Sequence, residues 1–294
     1  MDAEASPSQV MDAKAAPSQV MDAEAAQCEV KTGALLCTRT GDIERWVLNS
    51  PATRNALTEA SVEALLDACQ AASNDAGLRF IVLTGSGGSF CAGASLGGFS
   101  MLIGQPLAEG EVDPLLAMSQ RFGDLLHALT ALPQILIAAV DGPAMGGGLG
   151  LVCCADFCVA TQRSAFAAPE VTLGLVPAQI APFVWRRLGD RLARQFMLQG
   201  QKLNAAQAHA LGLVDQCVEG DEAELFKATD TLVHGLKSSA PQAVAATKKL
   251  MSPFSAAPDI RAAAAAAFAT SLRGSEAPEG INAFARKRAA RWAA

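Results

Sequence analysis

Tyrosine is missing altogether, and aromatic residues make up only 5% of the 294 in the chain. Stacking platforms for nucleobases are therefore scarce. Basic residues run short as well: 23 Lys+Arg against 29 Asp+Glu leave a formal charge of -6. That is the wrong sign for a general hold on a phosphate backbone, although a local basic patch would survive it. Nucleic acid is not an expected partner. Histidine is rare, and His127, His209 and His234 fall in separate helical patterns without ligand spacing. The eight cysteines (28, 37, 69, 91, 153, 154, 158 and 217) show no paired CxxC spacing, so no metal site is expected. Cys153, Cys154 and Cys158 share one apolar stretch and read as buried thiols of a reducing compartment, which makes a cytoplasmic location the expectation. No apolar run reaches the roughly 18 residues of a membrane span.

The first residues lack the means to build a core. Met1–Val10 recurs as Met11–Val20, and Met21–Ala26 begins a third copy. This Ala/Ser/Pro-rich repeat has acids in every copy and no apolar stretch of a secretory signal, so residues 1–27 read as a disordered tail. What remains is long enough for one large core.

Ala34 to Leu48 reads as a hairpin turning at Thr40-Gly41-Asp42. Thr58 caps a helical pattern through Val62, Leu65, Leu66 and Ala68. Phe80–Thr84 and Ile135–Val140 are apolar strand runs. Met101–Pro114 reads as a mobile loop, Leu115–Leu129 as a helix, Leu149–Cys158 as a buried helix, Phe157–Ala160 as a strand, and Ala165–Phe166 as an extended piece. Short strands alternating with helices indicate α/β architecture with a largely parallel sheet. After about residue 180 helices take over: 180–187, 192–198, 204–211, 223–238, 241–251 and 260–273, with a brief strand entered at Gly212-Leu213-Val214. The expected division is a core over 28–220 and a helical region over 221–294.

The chemistry gathers in Val140-Asp141-Gly142-Pro143-Ala144-Met145-Gly146-Gly147-Gly148-Leu149-Gly150-Leu151. Glycines between a strand and a helix let the backbone approach a ligand, and a helix start leaves free N–H groups there. Twenty residues on, Glu170 stands alone in the apolar segment Phe166–Val171, where an acid is costly unless used. Together with Cys91-Ala92-Gly93-Ala94-Ser95-Leu96, these segments resemble the enoyl-CoA hydratase/isomerase (crotonase) superfamily. The resemblance runs over residues 30–292 and extends to Gly212-Leu213-Val214-Asp215, Glu279-Gly280 and Ala283-Phe284-Ala285-Arg286-Lys287-Arg288. It implies an α/β fold of the crotonase type, a ββα superhelix followed by a helical C-terminal trimerisation region.

By that resemblance the N–H groups of Ala94 and Gly147 polarise an acyl thioester carbonyl, and Glu170 handles the proton. Ser95 stands where many relatives carry Asp, a departure expected to loosen the turn without removing the donor. Arg54 and Ala56 lie along the nucleotide and pantetheine arm of coenzyme A. Ala92 matches the residue whose backbone meets the adenine, Leu96 is expected on the coenzyme as well, and Phe284 and Lys287 close over it, often from the next subunit. Coenzyme A is then the handle of the substrate, and no separate cofactor is implied; the expected assembly is a homotrimer or a dimer of trimers. The family's first glutamate falls at Gly150, a position read as facing the cavity and offering only space. Hydration on Glu170 alone is one reading; recruitment of Glu109, Glu111, Asp113 or Asp124 is another. Isomerase, decarboxylase, acyl-carrier-protein dehydratase and non-catalytic binding protein stay open. The segment Gly174-Leu175-Val176-Pro177-Ala178-Gln179-Ile180-Ala181-Pro182-Phe183 resembles the methylglutaconyl-CoA and isohexenylglutaconyl-CoA hydratase group. It implies a branched, glutaconyl-type enoyl-CoA whose second carboxylate would meet Gln179, Arg186 or Arg187.

Overall fold

The computed structural model describes residues 30–95, 110, 113–251 and 275–293. The repeat-bearing tail, Leu96, most of the loop expected over 101–114 (with Glu109 and Glu111) and the helix expected over 260–273 lie outside the described residues.

Ten strands are present among the described residues: β1 (Val30–Thr32), β2 (Leu35–Thr40), β3 (Ile43–Leu48), β4 (Phe80–Gly85), β5 (Ile135–Val140), β6 (Pro143–Met145), β7 (Phe157–Thr161), β8 (Ala165–Ala167), β9 (Lys202–Asn204) and β10 (Gln216–Val218). Seven of them form one sheet in the order β1-β2-β3-β4-β5-β7-β10. The first three are antiparallel, with Thr40 facing Ile43 across the turn at Gly41-Asp42. From β3 onward every neighbour is parallel. Parallel strands need covering on both faces, which is why Phe80–Gly85 and Ile135–Val140 are buried at every residue and read as unbroken apolar runs.

Three helices fill the crossovers: α1 (Glu59–Ser73), α2 (Pro114–Ala131) and α3 (Gly147–Cys154). Thr58 caps α1 through a reciprocal exchange with Ser61, and the Asp113 side chain caps α2 at the Leu115 N–H. Side chains alternate across each strand. Ile81, Leu83, Leu136 and Ala138 pack toward α1–α3 in the main core. Phe80, Ile135 and Ile137 face the other way onto Val233, as Val82, Ala139 and Val159 do onto Leu225. Both of those partners belong to α6 (Glu222–Leu236).

The expected buried helix over 149–158 is shorter and earlier than the sequence suggests. It starts at Gly147 and stops at Cys154, because Asp156 must turn outward to accept the Leu136 N–H at 2.8 Å before β7 begins. The brief strand entered at Gly212 likewise forms later, at Gln216–Val218, after Asp215 has accepted the Cys158 N–H at 2.7 Å. α4 (Ala181–Gln199) breaks at Gly189, whose φ of 72° separates the two helical runs expected from the sequence. α5 (Ala205–Ala210), α7 (Pro241–Met251) and α8 (Glu276–Ala285) complete the helical third. No helix among the described residues is long and apolar enough to cross a membrane.

Candidate functional site

Short extended segments place the site. β6 pairs in parallel with β8, setting Met145 beside Ala167. On its other side Ala144 bridges Cys91, also in parallel, with the Cys91 N–H on Pro143 O at 3.0 Å and the Met145 N–H on Cys91 O at 2.9 Å. Parallel neighbours finish in the same direction, so the residues just beyond each of the three segments are delivered to one end of the layer. Ala94, Gly147 and Glu170 are those residues.

Two glycines make the approach possible. Gly93 sits at a φ of 89°, and a Cβ there would lie 2.7 Å from Met145 O and 3.5 Å from the Gly147 nitrogen. Gly146 sits at a φ of 49°, turning the chain from β6 into α3 while its N–H bonds Ala167 O at 2.8 Å. Both conformations are costly for any residue with a side chain. The Ala94 and Gly147 N–H groups donate to no acceptor among the described residues. Ala94 is exposed, Gly147 half-buried, and the latter opens α3, where the helix dipole favours negative charge. The turn is not loosened at Ser95: its N–H bonds Leu57 O at 2.9 Å and the Leu57 N–H bonds Gly93 O at 2.7 Å.

Glu170 starts a 3-10 turn running to Leu173, directly after β8 and Pro169. Its Oε1 stands 2.9 Å from where a Gly146 Cβ would be. Its Oε2 is buried with no hydrogen-bond partner among the described residues. Burial holds the Glu170 carboxyl above the ordinary glutamate range, opposed only by a hydrogen bond from its own backbone. A carboxylate with no cation beside it and one buried oxygen left without a donor is a signature of a group kept for chemistry rather than for stability.

The Gly150 expectation is corrected. Its position does not offer space: a Cβ there would lie 2.5 Å from Ile180 Cγ2 and 3.6 Å from Leu126 Cδ2, both buried. The two polar substitutes among the described residues are occupied elsewhere too. Asp113 caps α2, and Asp124 pairs at 3.9 Å with Arg121 on the surface. Arg186 and Arg187 do not face the site. They reach Cys153 O and Ala155 O at the far end of α3, about 12 Å of helix from Gly147. Gln179 does stay near, its Nε2 donating to Ser119 Oγ at 3.1 Å beside Gly123 on α2.

The residues expected along coenzyme A are only partly gathered. Arg54 is exposed and its carbonyl accepts the Ala92 N–H at 2.9 Å, which brings those two together with half-buried Ala56. Buried Asn55 fixes this corner, its Oδ1 accepting from Ser50 N and its Nδ2 donating to Ser86 O and Ser89 O. No hydrogen bond or ion pair among the described residues joins Lys287 to that corner. Its segment is anchored by Arg79, which donates to Trp292 O at 2.6 Å at the opposite end of β4, roughly 17 Å of strand away. Phe284 lies on α8, and its side chain is outside the described residues. The sequence reading missed the apolar walls Leu57 and Phe122, which stand 2.8 Å and 3.2 Å from a Gly147 Cβ. Their helical and strand-end spacing looks like ordinary core, so only the fold reveals them.

The family model for enoyl-CoA hydratase/isomerase matches residues 40–294. The chain belongs to the enoyl-CoA hydratase/isomerase family. It is 36% identical over 206 residues to enoyl-CoA hydratase AKT6-1 of Alternaria alternata, covering 70% of this chain and 65% of that protein. The chain thus spans about two thirds of the length of that relative. A 2,3-dehydroadipyl-CoA hydratase of Escherichia coli is 33% identical over 188 residues, covering 64% of this chain and 70% of the relative. Among solved structures, an enoyl-CoA hydratase/isomerase from Marinobacter aquaeolei superposes with a TM-score of 0.81 at 35% identity, over 89% of this chain and 99% of the other. The architecture is therefore the crotonase-type α/β fold of that family, and its helical C-terminal third accords with it.

Proposed function

We propose that the chain hydrates a 2,3-unsaturated acyl-CoA with Glu170 as its single acid–base group. The observation that carries this reading is the Glu170 carboxyl over Gly146, its buried Oε2 without a partner, beside two N–H groups that no acceptor among the described residues engages. The thioester oxygen lies between the Ala94 and Gly147 N–H groups. Glu170 takes a proton from water as the water oxygen bonds to Cβ, and the thioester becomes an enolate. The two N–H groups stabilise that oxyanion without reorganising, an effect whose loss typically costs about 3 kcal/mol per donor. Glu170 then returns the proton to Cα, so one carboxyl serves both halves and the two additions occur on one face.

The acyl group we propose is branched and glutaconyl-like. Support comes from the Gln179–Ser119 pair, the uncharged polar spot beside the apolar walls, and from a relative named for a dicarboxylic enoyl-CoA. Coenzyme A is the proposed handle, held at Arg54, Ala56, Ala92 and Leu96 and closed by Phe284 and Lys287 of a neighbouring copy in a trimer. The distance of the Lys287 segment from Arg54 within one chain supports a contribution from the neighbour. A second reading, isomerisation of the double bond, is favoured by the lack of room at Gly150 for another acid.

Incubation with crotonyl-, methylglutaconyl- and dehydroadipyl-CoA, with products read by mass, tests these readings. Gain of one water establishes hydration. An unchanged mass with a moved double bond replaces it with isomerisation, loss of carbon dioxide with decarboxylation, and no change to any thioester removes the enzymatic proposal.

A further inference from the structure

Gly147 and Gly150 share one face of α3, since positions three apart stack on a helix, and Gly146 is the residue that turns the chain into it. All three are glycine, yet what stands over them differs. Glu170 covers Gly146, Leu57 and Phe122 cover Gly147, and Ile180 with Leu126 covers Gly150. These neighbours form a short row, or track, from the acid to a β-branched wall. Ile180 is held firmly at its end of the track. It precedes α4 as the N-cap residue, and its carbonyl accepts both the Phe183 and Val184 N–H groups at 3.0 Å. Only 3% of its surface is exposed, and Leu126 beside it is fully buried. A β-branched side chain has little rotamer freedom with which to retreat. Gln179, its neighbour, is tied to Ser119 on α2, so the segment before α4 is fastened on the same side.

We propose that Ile180 is the specificity-determining residue at the acyl end of this site: its γ-methyl, lodged against bare Gly150, limits how long or branched an acyl group can lie along α3. The inference rests on the acyl-thioester reading but not on hydration. Glycine at 150 and isoleucine at 180 act as one unit, the missing side chain of one making room for the branch of the other. Shortening Ile180 lengthens the track; adding a side chain at 150 pushes Ile180 out.

The test is equilibrium binding of saturated butyryl-, isovaleryl- and hexanoyl-CoA to the full chain and to Ile180→Val and Ile180→Ala. Binding needs no turnover, so a protein that binds acyl-CoA without hydrating enoyl-CoA sinks the hydratase reading while leaving this one measurable. Removing methylenes from an apolar pocket changes discrimination by roughly 10–200-fold per group. The preference for hexanoyl over butyryl should rise at least about tenfold in Ile180→Ala. Ile180→Val should fall between it and the unsubstituted chain, and affinity for free coenzyme A should hold in all three. An unchanged hexanoyl-to-butyryl ratio in folded Ile180→Ala overturns the proposal, as does equal loss of affinity for every ester and for coenzyme A. Thermal melts of Gly150→Ala with and without Ile180→Ala give a second, independent reading. The glycine substitution should be destabilising alone and relieved in the double variant, and strictly additive effects would refute the coupling.

Discussion

The two ends of α3 treat polar groups in opposite ways. At its start the Gly147 N–H and the Oε2 of Glu170 are left without partners among the described residues, in apolar surroundings. At its finish a cavity of about 440 Å³ is lined by Asp156, Arg186, Arg187, Asp215 and Lys248. There nearly every charge is spoken for. Lys248 Nζ bonds Asp156 Oδ2 and Gln134 O, both at 2.6 Å, and Arg187 bonds Asp215 at 2.6 Å. This charged cavity is thus a set of staples joining α7 and α4 to the sheet. Reaction chemistry belongs where polar groups are kept idle at a cost, and a charge cluster that satisfies itself has nothing left to offer a substrate.

The severest test of that contrast is Glu170→Gln. General acid–base groups contribute roughly 10²–10⁴ in rate, and turnover should fall by at least that lower bound. The stability effect should run the other way. A carboxyl whose pKa is raised on folding adds stability only below the ordinary glutamate range, and that contribution disappears as pH rises through the raised value. At neutral pH the buried charge is a liability that glutamine removes. Glu170→Gln should therefore melt higher than the unsubstituted chain at neutral pH, with the gap closing on acidification. In the unsubstituted chain, activity should fall as pH drops through the raised pKa of Glu170, since the base must be ionised. A variant that is both inactive and less stable at neutral pH would mean that Glu170 is a structural carboxylate.

Next in size is Gly93→Ala. Its φ of 89° and the 2.7 Å approach to Met145 O leave no place for a Cβ, so the loop bearing Ala94 must move off the start of α3. Separation of the two donors should lower kcat by about 10²–10³, the loss typical of one oxyanion donor. Backbone strain should cost a further ~1–3 kcal/mol in stability. Full activity in a folded Gly93→Ala protein would separate the donors from catalysis.

Much of this was open to sequence reading because the signals are local. The hairpin at Gly41-Asp42, the Thr58 cap, the two apolar strands and the helix break near Gly189 arise from turn residues, caps and periodicity within a few positions. Glu170 stood out because an acid in an apolar run is conspicuous, and the glycines because they mark a close approach. Hidden from sequence were the contacts between distant segments. β6, three residues long, is too short for periodicity to reveal, yet it is the element that aligns Cys91, Gly147 and Glu170. Gly150 could be seen to lack a side chain, but not that Ile180, thirty residues on, fills the place. The arginines at 186 and 187 carry the right charge for a substrate carboxylate, and only the three-dimensional path of α4 puts them at the wrong end of α3.

At the stapled end, Lys248→Ala should act on stability and leave chemistry alone. Burial pulls the Lys248 ammonium below the usual lysine range, countered by Asp156, so the pair is held in a partly dehydrated site. Removing one partner of a fully buried pair costs about 3–5 kcal/mol. Asp156 keeps 28% of its side chain exposed, so about 2 kcal/mol is expected here. Denaturant titration should show that loss, with turnover per folded molecule unchanged. A fall in kcat at full stability would make this end part of the reaction.

The smallest effect, and the sharpest on the substrate question, is expected of Arg186→Gln. Arg186 is exposed, its hydrogen bond to Cys153 O is long at 3.4 Å, and its guanidinium lies 6.0 Å from the centre of the Phe183 ring. A surface change of this kind normally stays within about 0.5 kcal/mol of the original stability. Because Arg186 stands at the finish of α3, it should also be blind to the acyl group. The KM for dehydroadipyl-CoA, which bears a second carboxylate, should move no more than the KM for crotonyl-CoA, which does not. By contrast, Gln179→Ala should raise the first KM more than the second, because the Gln179 amide lies beside α2 near the apolar walls of the site. Should Arg186→Gln selectively weaken the dicarboxylic substrate, the carboxylate must reach the charged cavity after all, and the separation of α3 into an idle end and a stapled end would be false.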